Sequence, residues 1–303
     1  MTAEQTAVQV QQTRAAGGVR ALVRAARPKQ WIKNVLVLAP LLPAGELMFD
    51  SNLVGVAVAF AAFCLISSSV YLINDSRDVE ADRAHPVKRN RPIAAGLVSV
   101  PVALTTAVVL ALAAFGLAAS VGVQLTIVIA TYYVIQLAYC FGLKHEPVLE
   151  LACVASGFLL RALAGGVAAG LPLSQWFLLT TAFGSLFMAT GKRYGEARMG
   201  ERTGNKVRRV VERYTPTFLR FVWTLAATVV VLTYSLWAFE VGQGHGTPWA
   251  KISLVPFTLA ILRFAIDVDA GTAEEPEEIV VRDKVLLALG LVWATSLALA
   301  VYL

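Results

Sequence analysis

The sequence has little charge. Asp, Glu, Lys and Arg make up 15% of its 303 residues, against 57% hydrophobic residues. Soluble domains carry about 25% charged and 45–50% apolar residues, so a soluble globular chain is excluded. Histidine and cysteine are scarce too, at three residues each. Cys64, Cys140 and Cys153 fall inside apolar runs at no metal-ligand spacing. They read as small hydrophobes in helix packing rather than as a metal site. A cleavable signal peptide is not apparent, because the first apolar run follows a polar, basic leader and is long enough to remain as a span.

What fills the chain instead is apolar sequence in blocks of about twenty residues, the signature of membrane-spanning helices. Nine spans are expected, at about 34–49, 52–73, 99–120, 122–141, 148–169, 172–190, 217–239, 249–266 and 284–303. The fold class is therefore an all-α, polytopic membrane protein, its nine transmembrane helices set around a central cavity. Residues 1–25 are expected to form a disordered or amphipathic cytosolic N-terminus, and 26–303 a single intramembrane domain. Pro40 and Pro43 predict a kinked or re-entrant first span.

The basic residues set the orientation. With the N-terminus in the cytosol, 24 of the 26 Lys and Arg residues fall on the cytosolic side, and only Arg161 and Lys251 do not. The basic balance therefore reports topology and gives no reason to expect nucleic acid as a partner. Arg161, in mid-span, must face protein or a wet cavity, since an unpaired charge at that depth costs several kcal/mol.

Charge is concentrated directly after the second span, in N-D-S-R-D-V-E-A-D-R-A-H-P-V-K-R-N-R-P from Asn74 to Pro92. As a continued helix, this stretch puts Asp75, Asp78 and Asp82 on one face, joined by Asn74. Like charges so placed repel one another and oppose the helix dipole, so a cation is expected against them. Oxygen donors of this kind suit Mg²⁺. A second polar cluster, G-K-R-Y-G-E, ends the sixth span and brings Lys192, Arg193, Tyr194 and Glu196. Its cations complement a helix C-terminus or, alternatively, phosphate oxygens. Both clusters lie at cytosolic ends of second helices in a weak pseudo-repeat, which predicts that they face one another across the cavity. The acidic stretch from Asp267 to Glu278 straddles Pro276 without helical regularity and reads as a solvated linker. A metal together with cations beside a lipid-filled cavity points to substitution at a carbon activated by diphosphate departure.

The N-D-x-x-D-x-x-x-D pattern of Asn74, Asp75, Asp78 and Asp82, followed by R-P-I-A-A-G, resembles the first signature of the UbiA prenyltransferase superfamily. The resemblance covers about residues 25–303 and implies a nine-helix intramembrane fold and Mg²⁺-dependent transfer from a diphosphate. The second signature is usually D-x-x-x-D, whereas this chain has K-R-Y-G-E, with Lys192 in place of the first carboxylate and only Glu196 keeping the sign. With R-P-K-Q-W-I-K-N (Arg27–Asn34) and E-E-I-V-V-R-D-K (Glu277–Lys284), this departure resembles the phosphoribosyltransferase branch of the superfamily.

That resemblance implies phosphoribosyl diphosphate as donor and a polyprenyl (decaprenyl) phosphate as nucleophile, for arabinan synthesis in cell-wall (arabinogalactan) biogenesis. It also implies a multi-pass plasma-membrane enzyme, compatible with a homo-oligomer, with its active site facing the cytosol. Asp75 and Asp78 would be catalytic, holding Mg²⁺ with Asn74 and Asp82. Lys33, Lys88, Arg89 and Lys144 would meet phosphate oxygens, and Gln30 and Asn34 the ribose hydroxyls. Lys192, Arg193 and Tyr194 would receive the 5-phosphate or the lipid phosphate. His85 is the only histidine in either cluster, and no general base is evident. The alternatives are an aromatic prenyltransferase using prenyl diphosphate, and an ion-coupled transporter, against which the near absence of midplane charge argues.

Overall fold

The computed structural model describes residues 18–42, 53–203, 209–244, 247–270 and 283–302. These residues are helical or in short turns, with no strand among them. The extreme N-terminus, Pro43, the linker after Ala270 and most of Glu277–Lys284 lie outside the described residues.

A short helix α1 (18–25) leads into a 3₁₀ helix, Pro28–Leu41. Helices α2 (Leu53–Arg77), α3 (Val79–Ala84), α4 (Val100–Val121), α5 (Val123–Phe141), α6 (Leu149–Ala169) and α7 (Gln175–Thr203) follow. The chain continues through α8 (Arg209–Glu212), α9 (Pro216–Gly244), α10 (Trp249–Ile252), α11 (Leu254–Ala270) and α12 (Lys284–Tyr302). Six of these, α2, α4, α5, α6, α9 and α12, are long and apolar enough to cross a bilayer. The protein is a multi-pass membrane protein. The remaining expected spans take other forms for local reasons. Pro28–Leu41 is a 3₁₀ helix with Pro40 inside it. The last third of α7 carries the charges from Lys192 to Arg202. Helix α11 has only 17 residues.

The chain divides into two compact units. The first comprises residues up to Val35 and Ala57–Cys140. Its central helix is α2, the most enclosed of the spanning helices. Of three consecutive buried serines, Ser67 bonds back to its own helix, while Ser68 and Ser69 let α2 bind its neighbours without a hydrophobic driving force, which lipid does not supply. Ser69 Oγ donates to the Ala107 carbonyl of α4 at 2.8 Å. Ser68 Oγ accepts from Trp31 Nε1 at 3.0 Å and donates to the Ala26 carbonyl at 2.9 Å. Trp31, whose type suits a membrane interface, thus ties the N-terminal segment to α2. Helix α4 turns Ala103, Ala107, Ala111, Ala114 and Ala118 inward, a small-residue stripe at helical spacing that allows close packing.

The second unit comprises Leu36–Val56 and Phe141–Leu303. Its core joins α6, α7, α9 and α11 through Leu151, Phe187, Tyr194, Leu219, Phe264 and Val268. Arg161, fully within α6, donates Nη1 to its own helix at the Gly157 carbonyl, 2.6 Å away, and lies over the Phe158 ring. That satisfies part of the requirement for a covered mid-span charge. Gly165 admits the 3₁₀ helix: a Cβ there would stand 1.8 Å from the Val37 carbonyl oxygen. Backbone cannot yield as a flexible side chain can. Gly165→Ala is therefore expected to cost about 1–3 kcal/mol or more, read as a lowered melting temperature in detergent. An unchanged melting temperature would contradict this packing.

Candidate active site

From Asn74 to Ala84 the acidic stretch is nearly the continuous helix that its sequence suggests, and beyond Ala84 the chain turns. Helix α2 ends at Arg77 and α3 starts at Val79, with Asp78 between them at φ −90° and ψ 8°. Four-residue backbone bonds persist across the break, from the Asp78 N–H to Asn74 O and from the Asp82 N–H to Asp78 O. Asp75 and Asp82 are buried, at 2% and 3% exposure, and Asn74 and Asp78 are half-buried.

The cation expected against these carboxylates is present as arginine. Arg27 Nη2 donates to both oxygens of Asp75, at 2.7 and 2.6 Å. Arg91 Nη1 lies between two carboxylates, 3.1 Å from Asp75 Oδ1 and 2.6 Å from Asp82 Oδ2. Arg27 also packs over the Tyr71 ring. Among the described residues no three Asp, Glu, His or Cys side chains group as a metal site. The two buried carboxylates are turned onto Arg91. A guanidinium nitrogen bridging two carboxylates is itself a stand-in cation, and hard oxygen donors match what Mg²⁺ takes, so the donor set fits that ion.

Each charged residue is held by an apolar neighbour in one core. Ala25, Leu72 and Ile93, close in sequence to Arg27, Asp75 and Arg91, belong to the same buried cluster. Both arginines precede proline, which drives the preceding residue out of helical conformation. Arg91 is extended at φ −65° and ψ 142°, and Arg27 adopts φ 55°. After Pro92 the chain turns sharply, with Leu97 and Val98 N–H groups both on the Pro92 carbonyl and Gly96 at φ 74°. Beside the network lies a cavity of about 390 Å³, lined by Arg24, Arg27, Asp75, Lys88, Asn90 and Arg91. Four cations and one carboxylate line it, and two of the cations, Arg27 and Arg91, are paired with the buried carboxylates.

The other named residues of the first unit are placed as follows. Lys88 lines the cavity, Arg89 is exposed, and Gln30 and Lys33 are half-buried. Asn34, which the resemblance assigns to ribose, is fully buried and donates Nδ2 to Cys64 Sγ at 3.2 Å. His85 Nδ1 accepts the N–H groups of Val87 and Lys88 and so braces the turn. Arg27 and Arg91 are the residues that sequence reading missed as site members. Their signal was two R-P dipeptides, one on each side of the acidic stretch.

In the second unit, Glu150 at the start of α6 is fully buried and accepts Arg193 Nε at 2.9 Å and Nη2 at 2.8 Å. Arg193 Nη1 also donates to Glu196 at 3.2 Å. Arg193 is thus committed to two carboxylates. The Tyr194 hydroxyl accepts from Arg220 Nη2 at 2.9 Å, with its ring buried. Lys192 and Lys144 are half-buried. The Tyr214 hydroxyl accepts the Val148 N–H at 2.7 Å, where Val148 takes φ 67°. Burial raises the Tyr214 pKa above its usual value, which keeps this hydroxyl neutral.

Removing one partner of a buried pair strands the other's charge. Glu150→Ala is expected to cost about 3–5 kcal/mol, read from denaturation in detergent. A loss under about 1 kcal/mol, the range of an exposed pair, would show that Arg193 is not held as described.

Comparison with known proteins bears on the family and the fold. The chain is 56% identical to the decaprenyl-phosphate phosphoribosyltransferase of Corynebacterium glutamicum, over 93% of this chain and 87% of that one. It is 54% identical to the protein of the same name from Mycobacterium tuberculosis, over 93% and 95%. Among solved structures, a UbiA homolog from Archaeoglobus fulgidus bound to GPP and Mg²⁺ superposes with a TM-score of 0.70, over 92% of this chain and 98% of that one. At 16% identity, that likeness speaks for the fold alone. A model of the UbiA prenyltransferase family matches residues 35–289. The chain belongs to the UbiA prenyltransferase family.

Proposed function

We propose that this enzyme transfers 5-phosphoribosyl from phosphoribosyl diphosphate to decaprenyl phosphate and releases diphosphate. The observation that carries the reading is identity of 53–56% to curated transferases of that name over 93–94% of this chain. The cation-lined cavity beside Asp75 supports it, since both substrates and the leaving group are phosphates.

Asp75, Asp78, Asp82 and Asn74 would hold Mg²⁺, which when bound offsets the charge of the departing diphosphate. Lys88, with Arg24 and Arg27, grips diphosphate oxygens in the cavity, and Lys33, Arg89 and Lys144 supply further positive charge to phosphates. Gln30 meets a ribose hydroxyl. Asn34, buried against Cys64, would have to leave it to do the same and instead anchors the segment carrying Gln30 and Lys33. Lys192 meets the remaining phosphate, while Arg193, Tyr194 and Glu196 hold α7 in place for it. A phosphate monoester has a second pKa of about 6, so the acceptor arrives ionised and no side chain needs to take a proton. Its oxygen attacks the anomeric carbon opposite the departing diphosphate and inverts it. The site opens to the cytosol, in keeping with the one-sided distribution of Lys and Arg.

Purified enzyme given labelled phosphoribosyl diphosphate, decaprenyl phosphate and Mg²⁺ is expected to form a labelled lipid. Turnover of prenyl diphosphate with an aromatic acid, and no labelled lipid, would overturn the reading. Half-buried Asp78 gives the cleaner variant: Asp78→Ala is expected to lower kcat about 10²–10³-fold at an unchanged melting temperature. Full activity of this variant, or of the wild type in EDTA, would remove the metal from the site.

A further inference from the structure

Arg91 has a feature that ion pairing alone does not require. A single nitrogen, Nη1, serves two carboxylates from different turns, Asp75 and Asp82, both of which are buried. Without a cation between them, two buried carboxylates so placed would repel each other in a low-dielectric interior. Arg91 itself is only part-buried, with its side chain 27% exposed, and it forms a wall of the cavity. Its backbone is fixed: Pro92 follows, the Ala95 N–H binds the Arg91 carbonyl at 2.8 Å, and Ile93 is locked in the core. The guanidinium can therefore leave the carboxylates by side-chain rotation alone, into a space of about 390 Å³. Arg27 independently holds both oxygens of Asp75.

We infer that Arg91 is a positioning residue that occupies the cation place between Asp75 and Asp82 until a divalent ion displaces it. Mg²⁺ needs oxygens at about 2.0–2.1 Å, whereas the Arg91 nitrogen stands 2.6–3.1 Å from them, so ion and guanidinium exclude one another. Exchange replaces one positive charge by two at the carboxylates. It also releases Arg91 into the cavity already lined by Arg24, Arg27 and Lys88. Metal entry thus completes the anion site, and the anionic donor binds best to the metal-loaded protein. This rests on the metal reading given above.

The test is Mn²⁺ binding to the full-length protein in detergent, followed by the electron paramagnetic resonance of free Mn²⁺, with no donor present. Arg91→Gln is expected to bind Mn²⁺ up to about fivefold more tightly than wild type, as loss of a competing charge pair of ordinary strength implies. Arg91→Lys should fall between the two. In the same variants, inorganic diphosphate added to the Mn²⁺-loaded protein should bind more weakly than to wild type. Recovery by Mn²⁺ of an Arg91→Gln protein that unfolds in EDTA would support the exchange. If that variant folds in neither condition, the comparison of Arg91→Lys with wild type decides. Equal or weaker Mn²⁺ binding in the variants, with wild type binding normally, would overturn the exchange and leave the metal reading intact. Absence of Mn²⁺ binding in all three proteins, with and without diphosphate, would overturn both.

Discussion

The first unit depends on one constraint: two carboxylates buried next to each other need positive charge between them. Leaving an ionised carboxylate unpaired in a low-dielectric interior costs several kcal/mol. Asp75 and Asp82 can be buried only because Arg91 bridges them and Arg27 closes the outer side of Asp75. Those partners come from three separate stretches of chain, so meeting this requirement folds the N-terminal segment, the end of α2 and the turn after α3 onto one point. The apolar residues beside them seal the arrangement. Ser68 adds a second clasp, since one hydroxyl binds both Trp31 and Ala26.

The second unit solves the same problem differently. Glu150 and Arg193 are both deeply buried and match each other through three nitrogen–oxygen contacts, with Glu196 taking the remaining guanidinium edge. A planar guanidinium suits this because it can serve two carboxylates at once, which a lysine cannot do with comparable geometry. The family's usual acidic second signature is here a basic one, and much of its positive charge is spent inside the protein. Lys192, one residue earlier on the same helix, is half-buried.

Much of this could be read from the chain. Apolar blocks of helical length located α2, α4, α5, α6, α9 and α12 to within a few residues, because lipid leaves backbone polar groups no other partners. The spacing of Asp75, Asp78 and Asp82 identified the acidic face. What could not be read was which arginine would answer it. The acidic stretch holds several cations, and nothing in spacing ranks Arg91 above Lys88 or Arg89. Only the fold shows that proline after Arg91 turns the chain so that its side chain points back. The same holds for Asn34, which the resemblance assigns to a ribose hydroxyl yet faces Cys64, because the segment is a 3₁₀ helix with threefold rather than 3.6-fold periodicity.

The cavity beside Asp75 has a further consequence for anyone seeking to block this enzyme. Its wall of Arg24, Arg27, Lys88 and Arg91 would strip no favourable energy from a neutral, greasy compound. Such a molecule would displace water from four charged groups and return no hydrogen bonds. Compounds that succeed there must bring anionic or strongly accepting groups of their own. Their potency in an assay buffer should then fall as ionic strength rises, because exposed charges are screened over about 8–10 Å. Medicinal chemistry against this pocket becomes a search for phosphate mimics that can still cross a membrane.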